Sequence, residues 1–178
     1  MKRNNSIKNI TMAAVFLALC MVLPLITGNI PAIGNMLSPM HIPVLLAGFV
    51  CGPGWAMLIG CVAPILRSMI FGMPPLFPTA CAMAFELATY GLVSGFLYTK
   101  LKKNTVNIYV ALIGAMLVGR AVWGVAMMIL MGISGGEFTL AAFVAGAFTK
   151  AIPGIIVHIV LIPALVMALR RAKLLYEE

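Results

Sequence analysis

The stretch TACAMAFELATYGLVSGFLY, residues 79–98, determines how the rest of this chain is interpreted. Its length suits a membrane-spanning helix, since about 20 residues with a rise of about 1.5 Å each cross a hydrocarbon core of about 30 Å. Yet this stretch contains Glu86. A carboxylate at membrane depth is costly unless it meets a cation, a water-filled cavity or a proton. The stretch therefore indicates either a ligand site or a structural ion pair between helices.

The composition identifies an integral membrane protein. The chain has 178 residues, of which 63% are hydrophobic and 9% are charged, so it has too little polar surface to cover a soluble globule. Its four cysteines show no CxxC spacing, and the sequence contains no Walker motif, HExxH, GxSxG or acidic cluster. We therefore expect no metal, no cofactor and no catalytic activity.

The net charge of +8 would suggest nucleic acid as a partner of a soluble protein, but the basic residues lie at the ends of apolar runs. Nine of the twelve are juxtamembrane: Lys2, Arg3, Lys8, Lys100, Lys102, Lys103, Arg170, Arg171 and Lys173. By the positive-inside rule both termini and the 100–103 loop should lie in the cytoplasm. No nucleic-acid partner is expected.

The apolar runs predict an all-α membrane protein with about six transmembrane helices, N-in and C-in, as a single domain over residues 1–178. The helices are expected at about residues 7–26, 38–51, 55–71, 79–98, 108–131 and 139–169. Charge does not decide whether 38–51 and 55–71 both cross the membrane, because their connection has no basic residue.

Besides Glu86, three ionisable residues lie inside apolar runs: Arg67, Arg120 and Lys150. Their formal balance with Glu86 is −1 + 3, or +2, which favours an anionic ligand. Arg67 is placed about one turn from the outer end, where it is equally suited to reach lipid headgroups. His41, in the first turn of the short second segment, is either a helix-end residue or a ligand contact.

Helical spacing assigns faces to the fourth and fifth segments. Glu86 and Tyr90 share one face of the fourth, whereas Gly91 and Gly95 form a GxxxG motif on another, so the acid should face a site and the glycines a neighbouring helix. In the fifth segment Trp123 lies one turn after Arg120. An aromatic ring beside an arginine suits a flat or anionic organic ligand.

The chain resembles the substrate-binding S-components of energy-coupling factor (ECF) transporters, the vitamin importers of prokaryotes. The resemblance rests on the size, on about six helices with both termini inside, and on a basic N-terminus leading into the AxxxA pair Ala14 and Ala18. The first loop TGNIPAIGNML, the segment MHIPVLLAGFVCGPGWAMLIG and the polar positions of the last three helices add to it.

The resemblance implies a vitamin-binding subunit of the prokaryotic cell membrane that is not an enzyme. It would dock on a transmembrane coupling protein and two cytoplasmic ATPases, with Ala14 and Ala18 on the docking surface, and would capture a small water-soluble vitamin from outside for ATP-driven uptake. The sequence looks like the branch of the family that includes the pantothenate and folate S-components. Pantothenate is therefore favoured, with folate, a pyridoxine-type compound or another vitamin as alternatives. By position in the family, the pocket would include Asn35, Glu86, Tyr90, Arg120, Trp123 and Lys150, to which the residue-based analysis adds His41 and Arg67.

Two other classes of function remain open from the residues alone. An intramembrane enzyme could use Glu86 with His41 or His158 as an acid and base pair, and an ion or proton channel could use Glu86 in its path. Thermal stabilisation by a vitamin distinguishes a binding subunit from a channel, because a binding subunit gains stability from its ligand and a channel should show no such response.

Overall fold

The structure, a computed structural model, describes residues 2–26, 37–149 and 151–176. Over these residues it contains helices and no strands, which confirms the all-α fold class. The helices are α1 (Lys2–Ile26), α2 (His41–Cys51), α3 (Pro53–Phe71), α4 (Cys81–Lys100), α5 (Thr105–Ile133), α6 (Leu140–Val144) and α7 (Ile152–Arg171). The segment Leu76–Ala80, in which Phe77 is extended (φ −118°, ψ 135°), precedes α4, and a π-helical segment, Ala145–Thr149, precedes α7.

Within the part of the chain that the structure describes, five segments are long and apolar enough to cross a membrane: Ile7–Leu25, Pro53–Phe71, Leu76–Lys100, Thr105–Ile133 and Leu140–Arg171. The apolar helix α2 has 11 residues and is therefore only about 16 Å long, which is about half of a hydrocarbon core. The predicted count of six crossings thus stays a prediction, since α2 does not cross by its own length.

Helix α2 begins at His41, three residues after the expected start. Ser38 has a φ of 46°, which lies in the left-handed region and cannot continue a right-handed helix. The chain instead makes a turn in which the His41 N–H donates to the Ser38 carbonyl at 3.0 Å. After this turn, the first residue of α2, His41, lies buried inside the bundle.

Helix α2 is a core helix that runs alongside α4 in the same direction. All but one of its residues are buried. Near its start His41 approaches the second turn of α4, and near its end the rings of Phe49 and Tyr98 lie 5.1 Å apart. Such burial on all sides explains why the segment carries almost no polar residue.

Close approach of α4 to α2 and α3 depends on small residues. A Cβ at Gly91 would overlap the backbone of Ala56, and one at Gly95 would overlap Pro53. The expectation that the GxxxG pair faces a neighbouring helix is therefore confirmed. Because this face of α4 packs on α3 and α2, the face that carries Glu86 and Tyr90 is directed toward α5 and the start of α2.

The C-terminal segment meets the 100–104 loop and the turn between α2 and α3 at one end of the bundle. The Tyr176 N–H donates to the Phe49 carbonyl at 2.9 Å, and Lys103 Nζ donates to the Tyr176 carbonyl at 3.3 Å. Helix α1 also begins at this end, since Cys20 in its second half lies against Met40 at the start of α2, with 3.8 Å between Sγ and the carbonyl oxygen. We call this the basic end. The N-in, C-in orientation itself remains a prediction.

Candidate functional site

Glu86 is the centre of a buried polar cluster. Its side chain projects from the second turn of α4, and the residue is 1% exposed. Its Oε1 accepts hydrogen bonds from Arg120 Nη1 at 3.0 Å and from the Tyr90 hydroxyl at 3.1 Å. Its Oε2 lies 3.6 Å from His41 Nε2. The acid at membrane depth therefore has a cation partner, and its carboxylate connects α2, α4 and α5.

Two histidines extend the cluster to a fourth helix. The ring of His41 lies edge-on to Tyr90, with 5.3 Å between centroids, and stacks at 6.0 Å and 20° on His158 of α7. Both histidines are buried. His158 was not among the predicted binding residues, although an imidazole within an apolar run was a signal that could have included it. We call His41, Glu86, Tyr90, Arg120 and His158 the Glu86 cluster.

The Glu86 cluster lies in the half of the bundle away from the basic end. His41 is the first residue of α2, and Glu86 and His158 each follow the start of their helix by about one to two turns. Arg120 is 15 residues from the start of α5 at Thr105, or about 22 Å along the helix. Each of these helices except α5 runs toward the basic end, so the four positions coincide at one depth.

Two adjacent residues of α5 contact α4 at the Glu86 cluster. Arg120 meets Glu86, and Gly119 faces the ring of Tyr90, which a Cβ at position 119 would overlap. Glu86 and Tyr90 are four residues apart on α4 and so lie on one face. Gly119 was not predicted as a site residue, because a glycine has no functional group that sequence analysis could recognise.

Arg67 lies at the contact between α1 and α3 and not in the Glu86 cluster. Its Nη1 donates to the Met21 carbonyl at 2.8 Å, and its guanidinium lies 5.0 Å from the centre of the Phe71 ring. Met21 is close to Pro24, whose missing N–H weakens the hydrogen-bond ladder of α1. The Arg67 guanidinium thus adds a donor to the Met21 carbonyl in this part of α1 and joins the two helices.

Trp123 belongs to an aromatic group one turn beyond Arg120. Its ring is edge-on to Phe138 at 5.7 Å and stacks on Phe143 at 6.3 Å. Glycines allow this packing, because a Cβ at Gly124 would overlap Phe143 and a Cβ at Gly146 would approach Trp123 to 2.8 Å. The group joins α5 to the segment that contains α6, and its function in ligand binding stays a prediction.

The remaining predicted residues divide into two sets. Asn35 and Lys150 lie outside the described residues. Ala14 and Ala18 are exposed on α1, on the side that does not pack against the bundle. The predicted excess of two positive charges is not gathered in one place within the described ranges, since Arg120 is paired with Glu86 and Arg67 contacts Met21.

The ion pair with Glu86 does not use every donor of the Arg120 guanidinium. Nη1 is directed at Glu86, whereas the buried Nε has no hydrogen-bond partner among residues 2–26, 37–149 and 151–176. Because a planar guanidinium offers parallel N–H donors, the edge that carries Nε suits a carboxylate. The same ranges contain no group of three or more His, Cys, Asp or Glu residues that could hold a metal ion.

Comparison with known proteins gives one match. The sequence model of a family described as "ECF transporter, substrate-specific component" matches residues 8–166, which is most of the chain. No curated protein and no solved structure matches the chain.

Proposed function

The chain belongs to the family of substrate-specific components of ECF transporters, and on this premise we propose that it binds a small anionic vitamin for import, with pantothenate favoured. As a member of this family it is a multi-pass membrane protein and the substrate-binding subunit of a transporter. The choice of ligand rests on its chemistry at the Glu86 cluster.

The observation that carries the proposal is that the nitrogens of the Arg120 guanidinium have different surroundings. One nitrogen of its guanidinium neutralises Glu86 at 3.0 Å, and its buried Nε has no partner among the described residues. A buried donor without a partner costs roughly 1–3 kcal/mol. A ligand carboxylate on this edge would remove that cost and would form a charge-assisted pair at a buried position.

The contacts of Glu86 also argue against a cationic ligand. Glu86 already accepts from Arg120 and Tyr90 on one oxygen and faces His41 with the other. Its charge is therefore balanced inside the protein, and a ligand cation would have to compete with a guanidinium for it. Pantothenate, a small monoanion with hydroxyl and amide groups, combines a carboxylate for Arg120 with polar groups that the two histidines could bind.

Members of this family work with a membrane coupling protein and ATPases. We extend the proposal to a coupling protein that packs on α1 through Ala14 and Ala18, with two ATPases on the cytoplasmic side. Both alanines are exposed in the described structure and are four residues apart, so their small side chains would let a partner helix approach closely.

An intramembrane enzyme is the second candidate, because Glu86 and His41 do approach to 3.6 Å. Both oxygens of Glu86 are engaged by protein groups, however, and a general base needs access to its substrate proton. Turnover of a substrate by the purified chain would favour the enzyme.

Calorimetry of the purified protein in detergent tests the proposal. We expect saturable binding of pantothenate and a rise in the unfolding temperature with its concentration, as binding to the native state alone requires. Folate and pyridoxine are titrated in parallel as the alternative ligands. Mass spectrometry of small molecules that co-purify with the protein identifies the ligand without prior choice. If pantothenate neither binds nor stabilises the protein while another vitamin does, our choice of ligand is wrong.

A further inference from the structure

We propose that Tyr90 and Gly119 are positioning residues that orient the guanidinium of Arg120, an inference that rests on the proposed function of Arg120 in binding an anion. From the family resemblance, Tyr90 is expected to contact the ligand. The geometry assigns it instead to the support of the residue that contacts the ligand.

Tyr90 is enclosed by protein groups. It is 1% exposed, its hydroxyl donates to Glu86 Oε1 at 3.1 Å, and its ring lies against His41 at 5.3 Å between centroids. On the side of α5 it occupies the space above Gly119. The hydroxyl and the ring of Tyr90 are thus both engaged by protein groups, and the side chain fixes the groups that it touches.

The contacts form a closed circuit of four residues on two helices. Gly119 admits the Tyr90 ring, the Tyr90 hydroxyl holds Oε1 of Glu86, and the same Oε1 holds Nη1 of Arg120. Arg120 follows Gly119 directly in the chain, so α5 supplies both the space for Tyr90 and the arginine that Tyr90 helps to orient. The direction of the Nε edge thus depends on a glycine that has no functional group of its own.

Tyr90→Phe and Gly119→Ala disturb the circuit at different points. The phenylalanine keeps the ring and its contacts with Gly119 and His41 and removes only the hydroxyl bond to Glu86. The alanine would push the ring away from α5 and with it the hydroxyl. Gly132→Ala is the matched control, because it lies on the same helix and a Cβ there meets no atom within 4 Å. If Gly119→Ala does not fold, Tyr90→Phe alone carries the test.

The first measurement needs no ligand. In ¹H–¹⁵N correlation spectra of arginine side chains in detergent, the Nε–H signal that disappears in Arg120→Lys belongs to Arg120. We expect this signal to shift in Tyr90→Phe and in Gly119→Ala and to stay in place in Gly132→Ala. An Arg120 signal that is unchanged in both cluster variants would overturn the inference, whatever the ligand of the protein is.

The second measurement separates orientation from general packing. Pantothenol is the neutral analogue of pantothenate in which a hydroxymethyl group replaces the carboxylate, so the ratio of the two affinities reports the contact with Arg120. We expect both cluster variants to lower this ratio about tenfold, the size of effect that a lost hydrogen bond to a charged group produces. A merely structural function of Tyr90 would weaken both ligands equally and leave the ratio unchanged, which would contradict the proposal.

The two measurements distinguish failure of the proposed ligand from failure of the positioning inference. If the wild-type protein binds neither compound, our choice of ligand fails, and the spectra still decide whether Tyr90 and Gly119 orient Arg120. If the wild-type protein prefers pantothenate and neither the spectra nor the ratio respond to the variants, the proposed function stands and the positioning inference is wrong.

Discussion

Glu86 on α4 and Arg120 on α5 are joined by a 3.0 Å contact between Oε1 and Nη1, and both residues are buried. A buried ion pair contributes little net stability, because desolvation of the two charges offsets much of their attraction. Removal of one member is nevertheless costly, since the other is left buried and unpaired. This asymmetry makes single substitutions at the pair informative about its function.

Arg120→Ala should weaken binding of pantothenate by roughly 30-fold or more, since truncation of one member of a desolvated charge pair costs about 2–5 kcal/mol. Arg120→Lys should recover only part of the affinity, because an ammonium group lacks the planar fork of donors. Calorimetric titration of the purified variants measures both effects.

Arg67→Ala is the matched control for this prediction. It also removes a buried arginine, but one that donates to Met21 and lies over Phe71. It should lower the unfolding temperature through the contact between α1 and α3 and leave the affinity of the folded protein unchanged. Equal loss of affinity in both variants would place Arg67 at the ligand and contradict a purely structural function at the contact between α1 and α3.

Glu86→Gln should lower the unfolding temperature in the absence of ligand by roughly 5 °C or more, because it leaves the Arg120 charge buried without a counter-ion. An anionic ligand supplies the missing charge, so pantothenate should stabilise this variant more than it stabilises the wild-type protein. Thermal unfolding with and without saturating ligand measures the two shifts. A variant with normal stability and weakened binding would show that Glu86 contacts the ligand directly.

Ala18→Trp should abolish ATP-dependent uptake with the coupling protein and ATPases, since a bulky side chain on the exposed face of α1 prevents close helix approach. Affinity of the isolated subunit should hardly change, because Ala18 lies outside the Glu86 cluster. Uptake into proteoliposomes and calorimetry are compared for the same preparation. Leu117→Trp, at a position of α5 that is 57% exposed, controls for a large residue on a lipid-facing surface. Loss of affinity together with uptake would assign α1 to the pocket.

The predicted topology is tested by labelling single cysteines placed at Asn104 and at Gly135 in a variant that lacks the four native cysteines. Asn104 lies at the basic end, and Gly135 follows α5 at the opposite end of the bundle. A membrane-impermeant maleimide should therefore label the two positions from different sides, with Asn104 accessible from the cytoplasm. Labelling of both positions from one side would contradict the arrangement.

The sequence alone was sufficient to predict the helical membrane fold and the shared face of Glu86 and Tyr90. Both are consequences of local geometry and solvent: an apolar run of sufficient length has to pair its own backbone groups in a helix, and residues four apart on a helix lie on one side. The GxxxG pair was also assigned correctly to a helix contact, because residues without a side chain allow two helix backbones to approach closely.

The tertiary structure decided which cation meets Glu86. Arg67, Arg120 and Lys150 were equivalent as partners in the sequence, since charge and burial do not reveal which helices are neighbours. In the folded chain Tyr90 packs against Gly119 and the adjacent Arg120 contacts the acid, whereas Arg67 donates to Met21 of α1. Likewise, the stacking of His158 on His41 joins α7 to α2, and Ser38 has a positive φ just before α2 begins. Contacts between helices depend on side-chain packing and on single backbone angles. The hydrophobic periodicity of the sequence contains no information about either.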